Sequence, residues 1–151
     1  IQGFGEMRAR ISEVSLRDEQ GRDLSWCVGG ESVVLDIDFV AEGQLERPIV
    51  GFYIKDRLGQ LLFGDNTYVS SLGREKVLPE GARARARFEF EMPRLKAGDY
   101  FVTVGIADGS KDEHVIQHWV HEALALKSLC QSWSIGILGL PMSRIALEVI
   151  E

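Results

Sequence analysis

The chain has little cysteine and proline, and it has no apolar run long enough to cross a membrane. Its two cysteines, Cys27 and Cys130, do not form a C-x-x-C pair. A secreted disulfide scaffold would carry more cysteines, so we expect reduced structural thiols, with one disulfide as the alternative. No secretion signal or membrane span is recognisable, and a cytoplasmic location is the simplest interpretation. The chain begins at Ile1 rather than Met, which suggests a domain excised from a longer protein.

An excess of positive charge is also lacking. The formal net charge is −6, which argues against a nucleic-acid backbone as the main partner, because such proteins need a basic footprint. The sequence has no phosphate-binding glycine loop, no G-x-S-x-G and no H-E-x-x-H. We therefore expect a non-catalytic chain. Its 151 residues, of which 45% are hydrophobic, suffice for one domain over residues 1–151 with its own core.

Three histidines are the main candidates for metal ligands. On a helix, His114, His118 and His121 would share one face, which is a possible zinc arrangement. On a strand, His118 and His121 point to opposite sides and the triad fails. The acidic segment from Asp108 to Glu113 lacks the spacing and the bidentate Glu of a calcium loop. We expect no metal and no cofactor.

Alternation of apolar and polar residues, the period of a β-strand, runs through most of the chain. In the clearest segment, 83–92, five apolar residues alternate with five arginines and glutamates. The phase slips near Ser12-Glu13, which predicts a β-bulge. Strands separated by glycine-containing turns predict an all-β fold, an antiparallel β-sandwich of the immunoglobulin-like or jelly-roll type. The strands are expected near 7–17, 32–40, 49–57, 83–92, 99–107 and 118–128.

Residues 48–68 predict a β-hairpin whose tight turn lies at Asp56-Arg57-Leu58-Gly59. One sheet is expected to combine the strands near 7–17, 32–40 and 83–92. On its solvated face two aspartates would then oppose two arginines across neighbouring strands, which is a favourable arrangement. These residues are Asp36, Asp38, Arg85 and Arg87.

The late part of the chain is less regular. Residues 110–117 favour a loop or helical turn before the strand at 118–128, and the apolar segment 134–141 has no clear assignment. Alternation of Ile145, Leu147 and Val149 predicts a last strand at a sheet edge. Since an uncovered edge recruits a partner, exchange of this late segment between two copies is a hypothesis.

The second sheet should place the strands near 49–57, 99–107 and 118–128 side by side. Val50, Phe52 and Ile54 would face the core, and the opposite face would collect aromatic, cationic and small residues. Flat aromatic rings suit the C–H faces of sugars, and cations could meet an anionic substituent. Alternatively, the aromatic side chains cover the sheet against a loop or a second subunit. The candidate carbohydrate-binding residues are Tyr53, Lys55, Arg57, Phe101, Thr103, Trp119 and His121; Gly51, Gly105 and Ala123 are expected on the same face, and the stretch 65–68 is the alternative location.

The sequences of several segments are similar to those of a known family. PIVGFYIKDRLGQLLFGDNTY (48–68) is the strongest match, and GEMRARISEVSLRDEQGRDLSWCVGGESVVLDIDF, LKAGDYFVTVGIAD and HVIQHWVHEALALKS follow the same pattern. They resemble the C-terminal carbohydrate-binding domain of the ATPase subunit of ABC transporters that export O-antigen polysaccharide, the Wzt C-terminal domain family. The match is to short sequence patterns, and it assigns no individual binding residue.

This resemblance implies a β-sandwich that follows a nucleotide-binding domain and faces the cytoplasm at the inner membrane. It implies recognition of the non-reducing terminus of lipid-linked O-polysaccharide, which couples chain completion to export through the membrane subunit. The ATPase activity would lie outside this chain. Because ATPase subunits work as pairs, the resemblance also implies a homodimer. The alternatives are a structural or dimerisation sandwich that contacts protein through its aromatic face, and a hydrolase accessory domain, which would need two acids in one cleft.

Overall fold

A computed structural model describes residues 3–109, 112–131 and 136–149. Within these ranges the chain forms β-strands and a single 3₁₀ turn, Val69–Ser71, which confirms the all-β prediction. None of the described segments forms a helix that could span a membrane. The strands are β1 (Ala9–Arg17), β2 (Trp26–Cys27), β3 (Ser32–Ala41), β4 (Pro48–Asp56), β5 (Leu61–Asn66), β6 (Arg83–Glu91), β7 (Arg94–Leu95), β8 (Gly98–Gly109), β9 (His114–Ser128) and β10 (Leu138–Gly139).

The strands form a sandwich of two main sheets. The first sheet has the order β1-β3-β6 and the second has the order β2-β9-β8-β4-β5, while β7 and β10 form a separate pair. All pairings are antiparallel except the two-residue contact of β2 with β9. The predicted bulge is present in β1, between Ile11 and Glu13, and the predicted hairpin is the pair β4–β5.

The core lies between the sheets, where the apolar residues of each alternating strand point inward. Val50, Phe52 and Ile54 of β4 are buried, as predicted, together with four residues of β8. The Phe52 ring packs against Phe88 of the opposite sheet, with 4.9 Å between ring centroids. The inward-facing residues of β8 are Tyr100, Val102, Val104 and Ile106.

The solvated face of the first sheet carries the predicted charge pairs. Arg87 donates two hydrogen bonds to Asp36, of 2.8 and 3.0 Å. Arg85 holds Asp38 in the same bidentate geometry, with bonds of 2.6 and 3.0 Å. The hydrogen bonds from Arg87 lower the pKa of the Asp36 carboxyl despite its burial.

A buried histidine joins the two sheets. His118 of β9 is 1% exposed, and its Nδ1 accepts a hydrogen bond of 2.9 Å from the backbone N–H of Ile11, next to the bulge of β1. Burial lowers the pKa of His118, so the ring is neutral at neutral pH.

Both cysteines are buried and free, as predicted. Burial, with a smaller contribution from the Glu31 carboxylate, raises the pKa of the Cys27 thiol to about 11. Both effects disfavour the thiolate, which is the reactive form, so Cys27 is a structural residue.

Two predictions about the late part of the chain are wrong. Strand β9 begins at His114, because it continues the ladder with β8 to the pair Gly109–His114; the predicted loop or turn holds only for residues 112–113, and residues 110–111 lie outside the description. No strand is present at 145–149, where Ile145, Leu147 and Val149 are 74%, 102% and 94% exposed. Of the unassigned segment 134–141, residues 138–139 pair with β7, and residues 134–135 lie outside the described part.

Candidate carbohydrate-binding face

The outer face of the five-stranded sheet brings together side chains from β4, β8 and β9. The register places Tyr53 opposite Thr103 and Lys55 opposite Phe101, and it places Gly105 opposite Trp119. The rings of Tyr53 and Trp119 lie 6.1 Å apart, tilted by 47°. The predicted alignment of the three strands is therefore correct, and its two large aromatic residues are neighbours.

Glycines beneath these rings give the face its shape. The Trp119 indole lies over Gly105 so closely that a Cβ atom on Gly105 would overlap the ring. The Tyr53 ring lies over Gly64 of β5, where a Cβ atom would come within 2.8 Å of Cδ1. These two glycines leave room for the Trp119 and Tyr53 rings to pack against the sheet.

A groove of about 570 Å³ opens beside the two aromatic rings. Its floor contains Gly51, and the end of β5 and the residues that follow it form a polar wall. Asn66 holds this wall in shape, because its Oδ1 accepts a 2.9 Å hydrogen bond from the backbone N–H of Tyr68. Asp65, Asn66, Tyr68, Val69, His114 and Ile116 also line the groove. Of the seven candidate residues only Tyr53 and Trp119 line it, and they share it with most of the alternative location at 65–68.

The other end of the face is cationic. The Lys55 Nζ lies 3.5 Å from the Nδ1 of His121, and the His121 ring lies 6.4 Å from the ring of Trp119. Phe101 is half-buried beside Lys55. Arg57 lies in the exposed turn after β4, beyond the end of the sheet face on which it was predicted.

Two residues predicted on this face differ from expectation. Thr103 is 0% exposed, and its hydroxyl donates a hydrogen bond to the backbone carbonyl of His121. It therefore positions β9 and has no surface with which to contact a ligand. Ala123 packs against the hydrophobic core, because β9 bulges between the pairs Val104–Val120 and Val102–Leu124 and changes the direction of its side chains there.

Phe4 is a residue of the face that strand alternation missed. Its backbone exchanges two hydrogen bonds with Trp119, of 3.1 and 2.8 Å, and its ring lies 5.9 Å from that of His121. The segment fits closely because Gly3 and Gly5 have no side chain, and a Cβ atom on either would overlap the backbone of β9. The sequence signal that could have identified Phe4 is an aromatic residue between two glycines just before the first strand.

The three histidines do not converge. His118 points into the core opposite Ile106, whereas His121 lies on the outer face beside Phe4 and Trp119. No group of three or more His, Cys, Asp or Glu residues in the described ranges could hold a metal ion. Asp108, predicted in an acidic turn, is instead a buried residue of β8 whose carboxylate accepts backbone hydrogen bonds from Glu46 and Arg47.

Comparison with known proteins decides the family. A family model described as the Wzt C-terminal domain matches residues 2–140. The chain belongs to this family. A solved structure titled "Crystal structure of the C-terminal domain of wzt" superposes with a TM-score of 0.80 at 20% sequence identity, covering 97% of this chain and 88% of that chain. At this identity the likeness shows the fold, an antiparallel β-sandwich. A search of curated proteins gave no match.

Membership in the Wzt C-terminal domain family confirms the resemblance seen in the sequence. It gives the chain a non-catalytic, carbohydrate-binding role in O-antigen export by an ABC transporter.

Proposed function

We propose that this domain binds the non-reducing terminus of a lipid-linked O-antigen polysaccharide on the outer face of its five-stranded sheet, and that binding couples chain completion to export. The observation that carries the proposal is the groove beside Tyr53 and Trp119, with its glycine floor and polar wall. Recognition of the chain end, rather than of its middle, is the part of the proposal that rests on the family to which the chain belongs.

The chemistry of the groove fits a sugar. Tyr53 is 38% exposed, and the flat rings of Tyr53 and Trp119 offer an apolar platform to the C–H face of a pyranose. Asp65, Asn66 and Tyr68 on the opposite wall offer acceptors and donors to ring hydroxyls. Small-molecule sites combine apolar area and a few directed polar groups in this way.

The family supports the wider assembly that we propose. The domain would follow a nucleotide-binding domain on the same polypeptide, act at the cytoplasmic face of the inner membrane, and communicate with the transporter's membrane subunit. The net charge of −6 disfavours nucleic acid as a partner.

We also propose that the domain acts as a homodimer. The segment after β10 exposes five apolar side chains, Leu140, Met142, Ile145, Leu147 and Val149. Exposed apolar residues on an unpaired segment favour association with a second copy, and terminal strand exchange would cover them. Sedimentation that gives a monomer at all concentrations would contradict this part of the proposal.

The deciding experiment measures binding of the domain to purified O-polysaccharides, either intact or lacking the terminal residue or its modification. We expect binding only to the native terminus, and we expect Trp119→Ala and Tyr53→Ala to weaken it at least about tenfold. Trp26→Ala is the matched control, because Trp26 is 55% exposed and lies outside the groove.

Equal loss in the control, or binding independent of the terminus, would contradict end recognition at this face. A folded dimer without affinity for any of these glycans, and with Tyr53 and Trp119 in its interface, would identify a dimerisation domain instead.

A further inference from the structure

We propose that a second, cationic pocket next to the groove binds an anionic substituent of the terminal sugar, a phosphate or a carboxylate, through Arg47, Arg74 and Lys76. This inference rests on the proposed function and deepens it, because it assigns a chemical class to the polysaccharide end.

The pocket adjoins the groove directly. It has a volume of about 180 Å³, and Ile49 and Tyr68 line both it and the groove. Ser71 and Leu72, at the end of the 3₁₀ turn, form another part of its wall. A substituent on a sugar bound beside Tyr53 would therefore reach this pocket past Tyr68.

The pocket is positively charged in a negatively charged domain. Arg47, Arg74 and Lys76 line it together with a single acid, Glu75, whereas the whole chain has a formal net charge of −6. In the part of the chain that the structure describes, none of these three cations forms an ion pair. Three cations without an ion pair, against a single acid, leave the pocket with an excess of positive charge that an external anion could neutralise.

Contacts within the pocket wall favour this availability. The backbone N–H of Arg47 donates a 2.6 Å hydrogen bond to the buried Asp108, which fixes the base of the Arg47 side chain. The pKa of Glu75 is lowered, first by hydrogen bonds from its own backbone and from that of Gly73. The Arg47 charge makes a smaller contribution to the same lowering. The Glu75 carboxylate therefore interacts chiefly with its own loop and, among the three cations, with Arg47, which leaves Arg74 and Lys76 as the main partners for a ligand.

Lys55 and Arg57, the cations that the sequence predicted at the site, are placed less well to bind this anion. The Lys55 amine contacts His121, and Arg57 lies in the turn beyond the nine-residue strand β4. Arg47 precedes β4 and Arg57 follows it, so these two arginines lie roughly 30 Å apart along an extended strand. Variants can therefore distinguish them, and we use the Lys55 and Arg57 pair as the matched control.

The test titrates the ¹⁵N-labelled domain with glucose 6-phosphate, glucuronate, inorganic phosphate and glucose, and follows backbone amides by NMR. We expect the three anions to give saturable shifts at residues 71–76 and Gly109, and we expect glucose to give none there. In the double variant Arg74→Gln/Lys76→Gln, affinity for the anions should fall at least about tenfold. The double variant Lys55→Gln/Arg57→Gln should keep the wild-type affinity.

Three outcomes would overturn the proposal: no saturable shift at 71–76, the same shifts with glucose, or a loss that follows Lys55 and Arg57. Vesicles of phosphatidylglycerol form a further arm. If the Arg74 and Lys76 variant loses vesicle binding but keeps glucose 6-phosphate binding, the patch is a membrane contact. End-specific binding of a neutral O-polysaccharide that survives the Arg74→Gln/Lys76→Gln change would refute this subsite while leaving the proposed function intact.

Discussion

At Gly105 the indole of Trp119 occupies the space into which any side chain would project. At Gly64 a Cβ atom would overlap the backbone carbonyl of Phe52 and would also come within 2.8 Å of the Tyr53 ring. Neither glycine has a positive φ, so the requirement at these positions is for space rather than for an unusual backbone. The face thus depends on two pairs of a ring and a glycine, in which the missing Cβ atom leaves room for the ring.

Gly105→Ala should therefore weaken glycan binding without unfolding the domain. The methyl group must displace the Trp119 ring from the sheet, and the ring has solvent on its other side into which to move. We expect an affinity loss of about tenfold or more and a change in Trp119 fluorescence, measured with Trp26 and Trp133 replaced by Phe. An unchanged affinity with a displaced indole would show that the position of Trp119 is not part of the site.

Charge pairing on the first sheet gives a second prediction at the same scale. The Asp36 side chain is 6% exposed and that of Asp38 is 25% exposed. Removal of Arg87 therefore leaves a more deeply buried carboxylate without its bidentate partner than removal of Arg85 does. Arg87→Met should lower Tm by roughly 3–8 °C, and the control Arg85→Met should lower it less. Equal losses would show that the burial of Asp36 has no energetic weight.

The pH dependence of this pair has a definite sign. The pKa of Asp36 is lowered from its usual value of 3.8, chiefly by hydrogen bonds from Arg87. Its contribution to stability is therefore complete above that value and is lost as the pH falls through the folded-state pKa. In Arg87→Met the acid-induced loss of stability attributable to Asp36 should be smaller, as followed by urea unfolding between pH 5 and 3.

Individual strands were the most predictable elements, because alternation records which face of a strand is buried. β3, β4, β6 and β8 have the predicted phase, and the bulge of β1 was visible as a slip in that phase. Asp36 and Asp38 opposite Arg87 and Arg85 even indicated which strands are neighbours. In each case a local pattern reports a local environment.

Features that depend on contacts between distant segments could not be predicted in this way. β9 extends to His114 because β8 and the N-terminal segment both bond to it. The hydroxyl of Thr103 is buried because β9 bulges over it, and Phe4 reaches the face only because Gly3 and Gly5 fit against β9. The tail at 145–149 alternates like a strand but has no partner strand among the described residues, so the pattern alone did not give the structure.

His118 links the two sheets, and its burial should make their association sensitive to acid. Its folded-state pKa is lowered by burial. Below about pH 6.5, His118 therefore binds a proton in the unfolded chain but remains neutral in the folded chain. Stability should therefore fall as the pH decreases from 7.5 to 5.5, by at most about 1.4 kcal/mol from this group. Measurement is by chemical denaturation at each pH.

The matched variant is His118→Asn, whose side-chain oxygen can still accept from the Ile11 N–H but does not titrate. It should be less stable than the wild type at pH 7.5, because it fills less of the core, yet show a smaller decrease on going to pH 5.5. Parallel pH profiles for the two proteins would assign the acid sensitivity to His114 or His121 instead.

In the whole molecule the candidate site and the core lie on opposite faces of one sheet. Phe52 and Ile54 of β4 are buried between the sheets, while Tyr53 between them points outward. Successive residues of a strand alternate between faces, so ligand-binding residues can change without opening the core. This separation is why loss of binding in Trp119→Ala or Tyr53→Ala can be read as a property of the site.

The exposed tail sets the last prediction, which concerns assembly. In a single copy Ile145, Leu147 and Val149 remain exposed, a cost that a second copy would remove. A chain ending at Pro141 keeps β10 and should sediment as a monomer, whereas the full chain should sediment as a dimer. Because the groove residues all precede the tail, a monovalent glycan should bind both proteins with equal affinity, and only a surface coated with polysaccharide should retain the dimer more strongly. A truncated chain that remains dimeric would place the interface elsewhere, and a loss of monovalent affinity would mean that the tail of one copy completes the groove of the other.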